Sequence, residues 1–299
     1  MLILRQSEVC DFRRFFAFTQ FPIAFRCQSD MRRVHSPAQL PIRTSLTTLT
    51  TYQNRLLARL GANDLALLQP HLEPVDLPVG LVVIEPDQPI THAVFPETGL
   101  CSVIANLQER NSVEVGLFGR DGFVGTALVL GSTRVPHQTF MQVSGTGLRI
   151  EAEALTRAIE ASPSLRRLLL RYIQTFLIQT AQTALANASA PAEERLARWL
   201  AMYHDRQDGD ELSVTHEFLS LMLGVRRPTI TVALQMLEGA GLVRAQRGRV
   251  RVLNRAGLIA AAGPAYGPAE AEYDRLIGPL HGHGEAERTD HAIDYSSAS

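Results

Sequence analysis

Residues 224–252 read GVRRPTITVALQMLEGAGLVRAQRGRVRV, and this stretch decides the fold of the C-terminal part of the chain. A glycine, two arginines and a proline precede an apolar run of helical period, and two short valine-containing segments then flank Arg247–Gly248. A shorter helical pattern begins at His216. Gly224 suits a left-handed turn between the two helices, and Pro228 suits the first turn of the second helix. The apolar and small contacts that a helix-turn-helix needs are supplied by Leu219, Ser220, Leu223, Val225, Ile230, Leu234 and Leu237. The pattern predicts a winged helix-turn-helix.

The charge of this region favours a polyanion as its partner. Between Thr215 and Arg255 there are seven arginines and only two acidic residues. In this motif the N-terminal end of the second helix enters the major groove, where an arginine can contact guanine, while threonine hydroxyls suit phosphate oxygens. A solvated basic face is the alternative, but it does not explain the turn glycine, the arginines at the helix start and the basic hairpin together. The predicted contacts to double-stranded DNA are Thr215, Arg226, Arg227, Thr229, Thr231, Arg247 and Arg249.

Composition limits the remaining classes of protein. The chain has 299 residues, 45% apolar and 20% charged, with a formal net charge of −1. The length indicates two globular domains, and the near-neutral charge argues against a nucleic-acid-binding protein that is basic throughout. No uncharged apolar run reaches the roughly 18 residues of a membrane span, so no membrane association is predicted. The three cysteines, Cys10, Cys27 and Cys101, form no CxxC pair, which favours the cytoplasm.

The spacing of the apolar residues changes along the chain. Short runs rich in Val, Ile, Leu and Phe, separated by turn residues, predict an antiparallel β-roll, whereas the residues from Ser162 onward have helical period. The fold class is therefore α+β. The predicted segments are an N-terminal extension that is disordered or has a mis-assigned start (1–51), a β-roll (52–161), a long helix (162–190), the winged helix-turn-helix (191–262) and a flexible tail with a possible short helix near EYDRLI (263–299).

The long helix carries apolar residues on two sides. Ser162 is a suitable N-cap, Pro163 suits the first helical position, and no further Gly or Pro interrupts the helix up to Ser189. One apolar stripe can pack on the β-roll, and the other needs a second partner, for which a second copy of the chain is the better candidate. The predicted contacts of this dimerisation helix are Leu169, Tyr172, Ile173 and Phe176.

Two segments, VEVGLFGRDGFVGTALVLGSTR (113–134) and LSLMLGVRRPTITVALQMLEGAGLV (219–243), carry a family resemblance. Over roughly residues 52–260 the chain resembles the cyclic-AMP receptor/fumarate–nitrate regulator (Crp/Fnr) family. The resemblance implies a cyclic-nucleotide-binding-like β-roll, a homodimer on a two-fold DNA operator, and RNA polymerase as a further partner. It also implies that Arg227 is the recognition-helix arginine, whereas Pro228 and Val232 replace an acidic reader and a second arginine.

The effector site departs from the family pattern. Phe123 stands in place of the acid that holds the ribose, and Gly131 and Ser132 stand in place of the Arg-Ser pair that holds the cyclic phosphate. Arg134 lies close by, and Thr180 falls near the position of a purine-contacting threonine. Because a buried phosphate would lack charged partners, we expect an effector other than cyclic AMP. The alternative is a small-ligand-binding module with a degenerate cassette, in which DNA binding is secondary.

The sequence motifs give little support for a bound cofactor or an enzyme active site. An iron–sulfur cluster needs four suitable cysteines. An iron oxygenase of the cupin type needs a His-x-His pair with a carboxylate, and that spacing occurs only in HGHGE (281–285) of the predicted tail. We therefore predict no cofactor, no metal site and no enzymatic activity.

Overall fold

The computed structural model describes residues 51–107 and 111–280, and these described residues lie within one compact unit. The predictions for residues 1–50 and 281–299 lie outside the described residues. Among the helices of the described part, none is long and apolar enough to cross a membrane.

The N-terminal region contains two antiparallel sheets, which confirms the predicted β class. Three short elements precede them, a 3-10 turn at Leu57–Arg59, helix α1 at Ala62–Leu68 and a second 3-10 turn at Gln69–His71. The strands are β1 (Glu73–Leu77), β2 (Val82–Ile84), β3 (His92–Pro96), β4 (Leu100–Leu107), β5 (Asn111–Phe118), β6 (Gln138–Val143) and β7 (Gly145–Glu151). One sheet has the order β1-β7-β3 and the other the order β2-β6-β4-β5.

The four-stranded sheet is buried on both faces. Alternate residues of a strand point to opposite faces, so Cys101 and Phe118 lie in the core of the β-roll while Leu100 and Leu117 lie in a second core. The sheet also contributes Ile104 and Phe140 to that second core, and the remaining buried residues of that core come from the C-terminal domain. The four-stranded sheet therefore separates the cores of the two domains and contributes side chains to both.

Two helices follow β7, α3 (Ala152–Ala161) and the long helix α4 (Pro163–Ser189). The Ser162 hydroxyl accepts a hydrogen bond from the Leu165 N–H at 3.2 Å, as expected of the predicted N-cap. The 27 residues of α4 span about 40 Å, the length predicted from the uninterrupted pattern. A short helix, α2 (Thr126–Val129), also packs against α4.

The structure places three of the four predicted dimer contacts inside the chain's own core and packs the fourth, Phe176, against it. Leu169, Tyr172 and Ile173 are buried in the β-roll core, and the ring of Phe176 stacks on Phe118 with 4.4 Å between ring centroids. A different stripe of α4 remains exposed, with fractional exposures of 40% at Leu170, 56% at Leu177 and 56% at Leu185. The period of the sequence alone cannot show which of the two apolar stripes is buried in the chain's own core, because both have the spacing of a buried face.

The C-terminal domain has the predicted winged helix-turn-helix. A three-stranded antiparallel sheet of order β8-β10-β9 flanks its helices, and β9 and β10 form the hairpin around Arg247–Gly248. The elements are α5 (Ala192–His204), β8 (Glu211–Ser213), α6 (His216–Met222), α7 (Arg227–Gly239), β9 (Val243–Gln246), β10 (Arg249–Val252) and α8 (Arg255–Ala262).

The chain after α8 is folded as far as Leu280, which differs from the flexible tail predicted from residue 263. A 3-10 turn at Gly263–Ala265 leads to α9 (Pro268–Leu276), which packs against α4. Tyr273, Ile277 and Leu280 join the β-roll core, and the Tyr273 hydroxyl donates to the Asp121 carbonyl at 2.7 Å. Six of the 18 residues from Gly263 to Leu280 are glycine or proline, so the order of this segment comes from a tertiary contact and not from its own pattern.

Candidate nucleic-acid interface

The first helix of the motif, α6, is held by its cap and by the sheet behind it. The Thr215 hydroxyl oxygen accepts a hydrogen bond from the Phe218 N–H at 3.2 Å, and the Phe218 ring contacts Phe140 of β6 edge-on, with 6.4 Å between centroids. Thr215 is exposed, and its own hydroxyl proton remains able to donate to a phosphate oxygen. Its predicted contact with the DNA backbone is therefore compatible with its role as a cap.

The turn between the helices has the backbone that its glycine predicts. Gly224 adopts φ +59°, in the left-handed region that other residues occupy at a cost. Leu223 on one side is buried, and the Val225 N–H on the other side donates to the Ser220 carbonyl at 3.0 Å. The Leu223 carbonyl also accepts from the Arg195 guanidinium of α5. These contacts set the angle at which α7 leaves the turn.

Helix α7 buries one face and presents the opposite face to solvent. Its buried residues are Ile230, Ala233, Leu234 and Leu237, which include the three predicted anchors. Arg226 occupies the N-cap position and Pro228 lies in the first turn. The side chains of Arg226, Arg227 and Thr229 are exposed, so the predicted readers lie on an accessible helix end.

Thr231 has a role that the sequence did not reveal. Its hydroxyl lies 3.2 Å from His216 Nδ1 of α6 and donates to the Arg227 carbonyl at 3.3 Å. The side chain is only partly exposed, and its contact with His216 joins the two helices of the motif. A DNA contact by Thr231 stays a prediction, and its hydroxyl would have to be shared with His216.

The wing adds a second cationic surface. Arg247 lies at the tip beside Gly248, which adopts φ +75°, and Arg247, Arg249 and Arg251 are all exposed. Arg249 Nη1 lies 3.3 Å from Glu211 Oε2, and both side chains are largely solvated. An ion pair so exposed contributes at most about 1 kcal/mol, so it does not prevent Arg249 from reaching a phosphate.

The exposed face of α7 also holds apolar residues that lacked a predicted role as readers. Val232 and Met236 are 55% and 52% exposed. Helical spacing would have located them, because both lie away from the face formed by Ile230 and Leu234. Together the start of α7, its exposed face and the wing form an exposed, arginine-bearing surface suited to a DNA groove and its phosphates.

Residues 194–261 match the family model of the Crp-like helix-turn-helix domain. The chain carries a Crp-like helix-turn-helix domain. This domain and its geometry make the protein a DNA-binding transcriptional regulator. No curated protein sequence matches the chain.

Solved structures of Crp/Fnr regulators have the same fold. A putative Crp/Fnr-family transcriptional regulator from Eubacterium rectale is 17% identical, with a TM-score of 0.54 over 69% of this chain and 97% of that one. FixK2 from Bradyrhizobium japonicum is 15% identical, with a TM-score of 0.55 over 62% of this chain and 95% of that one. The c-di-GMP-responsive global regulator CLP from Xanthomonas campestris is 21% identical, with a TM-score of 0.51 over 64% and 99%. At these identities the likeness establishes the architecture, a β-roll followed by a winged helix.

The residues of the predicted effector pocket lie in three different environments. Phe123 is fully buried, with its ring centroid 5.4 Å from that of Phe95 and 5.5 Å from that of Tyr172. Gly131, Ser132 and Arg134 lie together in an exposed loop, where the Ser132 hydroxyl donates to the Arg134 carbonyl at 2.9 Å. Thr180 of α4 donates to the Phe176 carbonyl at 3.0 Å. Phe123 therefore serves as a core residue between the β-roll and α4.

A buried polar cluster joins the sheet to the DNA-binding domain, and the sequence had not indicated it. Glu114 of β5 accepts a hydrogen bond from Trp199 Nε1 of α5 at 2.8 Å, and its other oxygen lies 2.6 Å from the Ser102 hydroxyl of β4. Burial raises the pKa of Glu114 to about 7, against the opposing effect of the hydrogen bonds from Ser102 and Trp199. The only sequence signal was a single tryptophan in an amphipathic helix.

A second contact between the domains is ionic. Arg206, just after α5, pairs with Asp121, just after β5, at 2.8 Å, and both side chains are buried. Arg206 Nη1 also donates to the Met202 carbonyl at 2.7 Å, and the neighbouring Arg120 donates from Nε to the Arg206 carbonyl at 3.0 Å. Removing either member of the buried pair would leave a charge without its partner, which costs several kcal/mol.

Proposed function

We propose that the protein is a sequence-specific transcriptional regulator that binds a two-fold DNA operator as a homodimer. The observation that carries the proposal is the exposed, arginine-bearing start of α7 beside the arginine-bearing wing, on a Crp-like domain. Arg226 and Arg227 would lie at the bases, and Arg247 and Arg249 would lie at the phosphates. RNA polymerase is the further partner of this proposed role, which is regulatory, cytoplasmic and not enzymatic.

The exposed stripe of α4 supports the proposed dimer. Leu170, Leu177 and Leu185 are separated by seven and eight residues, about two helical turns each, so they lie on one side of the helix. Paired with the same stripe of a second copy, they would bury apolar surface that is exposed in a single chain. The pairing would place two recognition helices in successive major grooves, about 34 Å apart.

The proposed effector of the β-roll is a ligand other than cyclic AMP. Phe123 occupies the core where the family has its ribose-binding acid, and Arg134 lies in an exposed loop where its guanidinium donates to the Asp87 carbonyl at 3.3 Å. Neither arrangement supplies a buried charge for a cyclic phosphate.

The test of the proposal is selection of bound sites from random double-stranded DNA, followed by titration of the selected site at several salt concentrations. We expect a two-fold consensus and an affinity that falls steeply as salt rises, with a log–log slope set by the phosphate contacts. Arg157→Ala is a matched control, because Arg157 is an exposed arginine on α3, outside the candidate interface. Binding without sequence preference, or a consensus without two-fold symmetry, would contradict the proposal.

A further inference from the structure

The outward face of the recognition helix is apolar at its centre. Four buried residues, Ile230, Ala233, Leu234 and Leu237, define the inward face of α7. At 100° per residue the direction opposite to them falls on Pro228 and Val232, one turn apart, and then on Gln235 and Gly239. Pro228 is exposed, and Val232 keeps 55% of its surface in contact with solvent.

From this arrangement we propose that Val232, with Pro228 beside it, recognises thymine by packing against its C5-methyl group in the major groove. The inference rests on the proposed function, because it assumes that α7 lies in the groove. Val232 and Pro228 would then determine specificity, and thymine is the base that they select.

The polar groups near the start of α7 lie beside this pair and not at its centre. Arg227 and Thr229 project about a quarter turn or more to either side of the outward direction. The Thr231 hydroxyl is engaged by His216 Nδ1 and by the Arg227 carbonyl, at 3.2 and 3.3 Å. Gln235 is the exposed polar side chain on the outward direction, and it lies almost one turn beyond Val232. Near the helix start, the surface that reaches deepest into a groove is therefore formed by Pro228 and Val232, whose side chains have no donor or acceptor.

The chemistry of the major groove then selects the base. Guanine, adenine and thymine present acceptors there, and cytosine and adenine present amino donors, but only thymine also presents a methyl group. An apolar side chain held against a donor or acceptor would exclude its water without replacing the hydrogen bond, which costs free energy. Val232 against a thymine methyl avoids that cost and removes apolar surface of both partners from water.

An exposed valine has no comparable benefit in the unbound protein. Valine is a poorer helix former than alanine or leucine, because its branched β-carbon restricts its rotamers. At 55% exposure, Val232 also contributes little to the core of the domain. Contact with a thymine methyl group would remove this exposed apolar surface from water.

Deoxyuridine substitution isolates the proposed contact. Deoxyuridine pairs as thymidine does and lacks only the C5-methyl group, so each thymine of the selected operator is replaced in turn, symmetrically in both half-sites, and Kd is measured by fluorescence anisotropy. At one position per half-site we expect affinity to fall about fourfold for each half-site, the change that corresponds to about 0.8 kcal/mol for one buried methyl group.

The variant Val232→Ala shows whether the lost methyl contacts this residue. We expect Val232→Ala to bind the thymine operator more weakly than wild type and to lose the sensitivity to deoxyuridine at that one position. Val79→Ala is the matched control, because Val79 is 65% exposed on the loop between β1 and β2 and should leave the sensitivity unchanged. Circular dichroism and the urea midpoint confirm that both variants are folded.

Two results would overturn the inference and leave the proposed function intact. One is a selective, two-fold operator at which no deoxyuridine substitution weakens binding. The other is a position whose sensitivity is equal in wild type and in Val232→Ala. If no sequence-specific binding to DNA is found at all, the proposed function itself fails, and the inference fails with it.

Discussion

Arg227 is an exposed side chain at the start of α7, and its expected effect is confined to one base. We predict that Arg227→Ala reduces discrimination at one position in each half-site by about 1–3 kcal/mol, the contribution of a bidentate contact with guanine. Kd values for a set of single-base operator variants measure this. A uniform loss of affinity for every variant would show that Arg227 contacts phosphate instead.

Arg249 on the wing should behave differently from Arg227. We predict that Arg249→Ala weakens binding to all DNA sequences alike and reduces the log–log salt slope by about one. Its exposed partner Glu211 loses little when the pair is removed, so the stability of the fold should change by less than about 1 kcal/mol. An unchanged salt slope would contradict a phosphate contact.

Gly224 is required for its backbone and not for its size. A β-carbon at this position would have Val113 Cγ2 at 3.8 Å as its nearest neighbour, so a substitution meets no clash and only the strain of φ +59°. We predict that Gly224→Ala lowers the free energy of unfolding by about 1–2 kcal/mol, and that Gly224→Asn costs less. Urea titration measures both variants.

Gly239 provides the matched control for Gly224. It ends α7 without a positive φ, and a β-carbon there would meet no atom within 4 Å. Gly239→Ala should therefore be neutral or slightly stabilising, because alanine restricts the unfolded chain and favours helix. A loss of stability at Gly239 equal to that at Gly224 would show that the left-handed backbone is not the cause.

At the scale of elements, the contact between the four-stranded sheet and α5 depends on a proton. The Ser102 hydroxyl oxygen lies 2.6 Å from Glu114 Oε2 and 2.5 Å from Gln142 Oε1, but it has only one proton to donate. If Ser102 donates to Gln142, the carboxyl group of Glu114 must supply the second proton. A neutral Glu114 that donates to the Ser102 oxygen is compatible with this arrangement and agrees with its raised pKa.

We predict that the stability of the protein falls as pH rises through the titration of Glu114. Its pKa in the folded protein is about 7 against an ordinary value of 4.5, so the folded state binds the proton more tightly. The stabilisation is complete below pH 4.5 and is lost as pH rises to about 7, by an amount on the order of 3 kcal/mol.

Glu114→Gln should remove this part of the pH dependence, because the amide is neutral and has nearly the same shape. Urea midpoints of wild type and variant between pH 5 and pH 8 measure the difference, which cancels the other titrating groups, including Glu270, whose pKa is also raised by burial. Parallel pH profiles for the two proteins would contradict a neutral Glu114.

At the scale of the whole molecule, one side of α4 packs on the β-roll and a different, exposed stripe is the proposed dimer face. We predict that Leu177→Glu yields a folded monomer that has lost most of its affinity for the operator, because Leu177 lies on the exposed stripe and makes no core contact. Analytical ultracentrifugation and anisotropy measure the two properties. A Leu177→Glu variant that remains dimeric and fully active would contradict the proposed dimer face.

Phe176 is the neighbouring comparison for Leu177. Its ring stacks on Phe118 in the β-roll core, so Phe176→Glu should lower stability by several kcal/mol through burial of a charge. The two adjacent residues therefore separate loss of the dimer from loss of the fold.

The sequence by itself determined the features with local causes. The Ser162 cap, the turn at Gly224, the hairpin at Gly248 and the buried side of α7 follow from side-chain chemistry within a few residues, and all are present in the structure. The exposed arginines of the candidate interface were found in the same way, since they follow from the position of the motif.

Only the tertiary structure decided which apolar stripe of α4 is buried, that the chain to Leu280 packs on the β-roll, and that Glu114 meets Trp199. Glu114 and Trp199 are 85 residues apart, and Asp121 and Tyr273 are 152 residues apart. Such pairs leave no periodic signal in either segment, because their energy arises only when the fold has brought them together and removed water from both. Local pattern therefore predicts which surface can bind DNA, whereas the contact that joins this surface to the β-roll is a property of the folded whole.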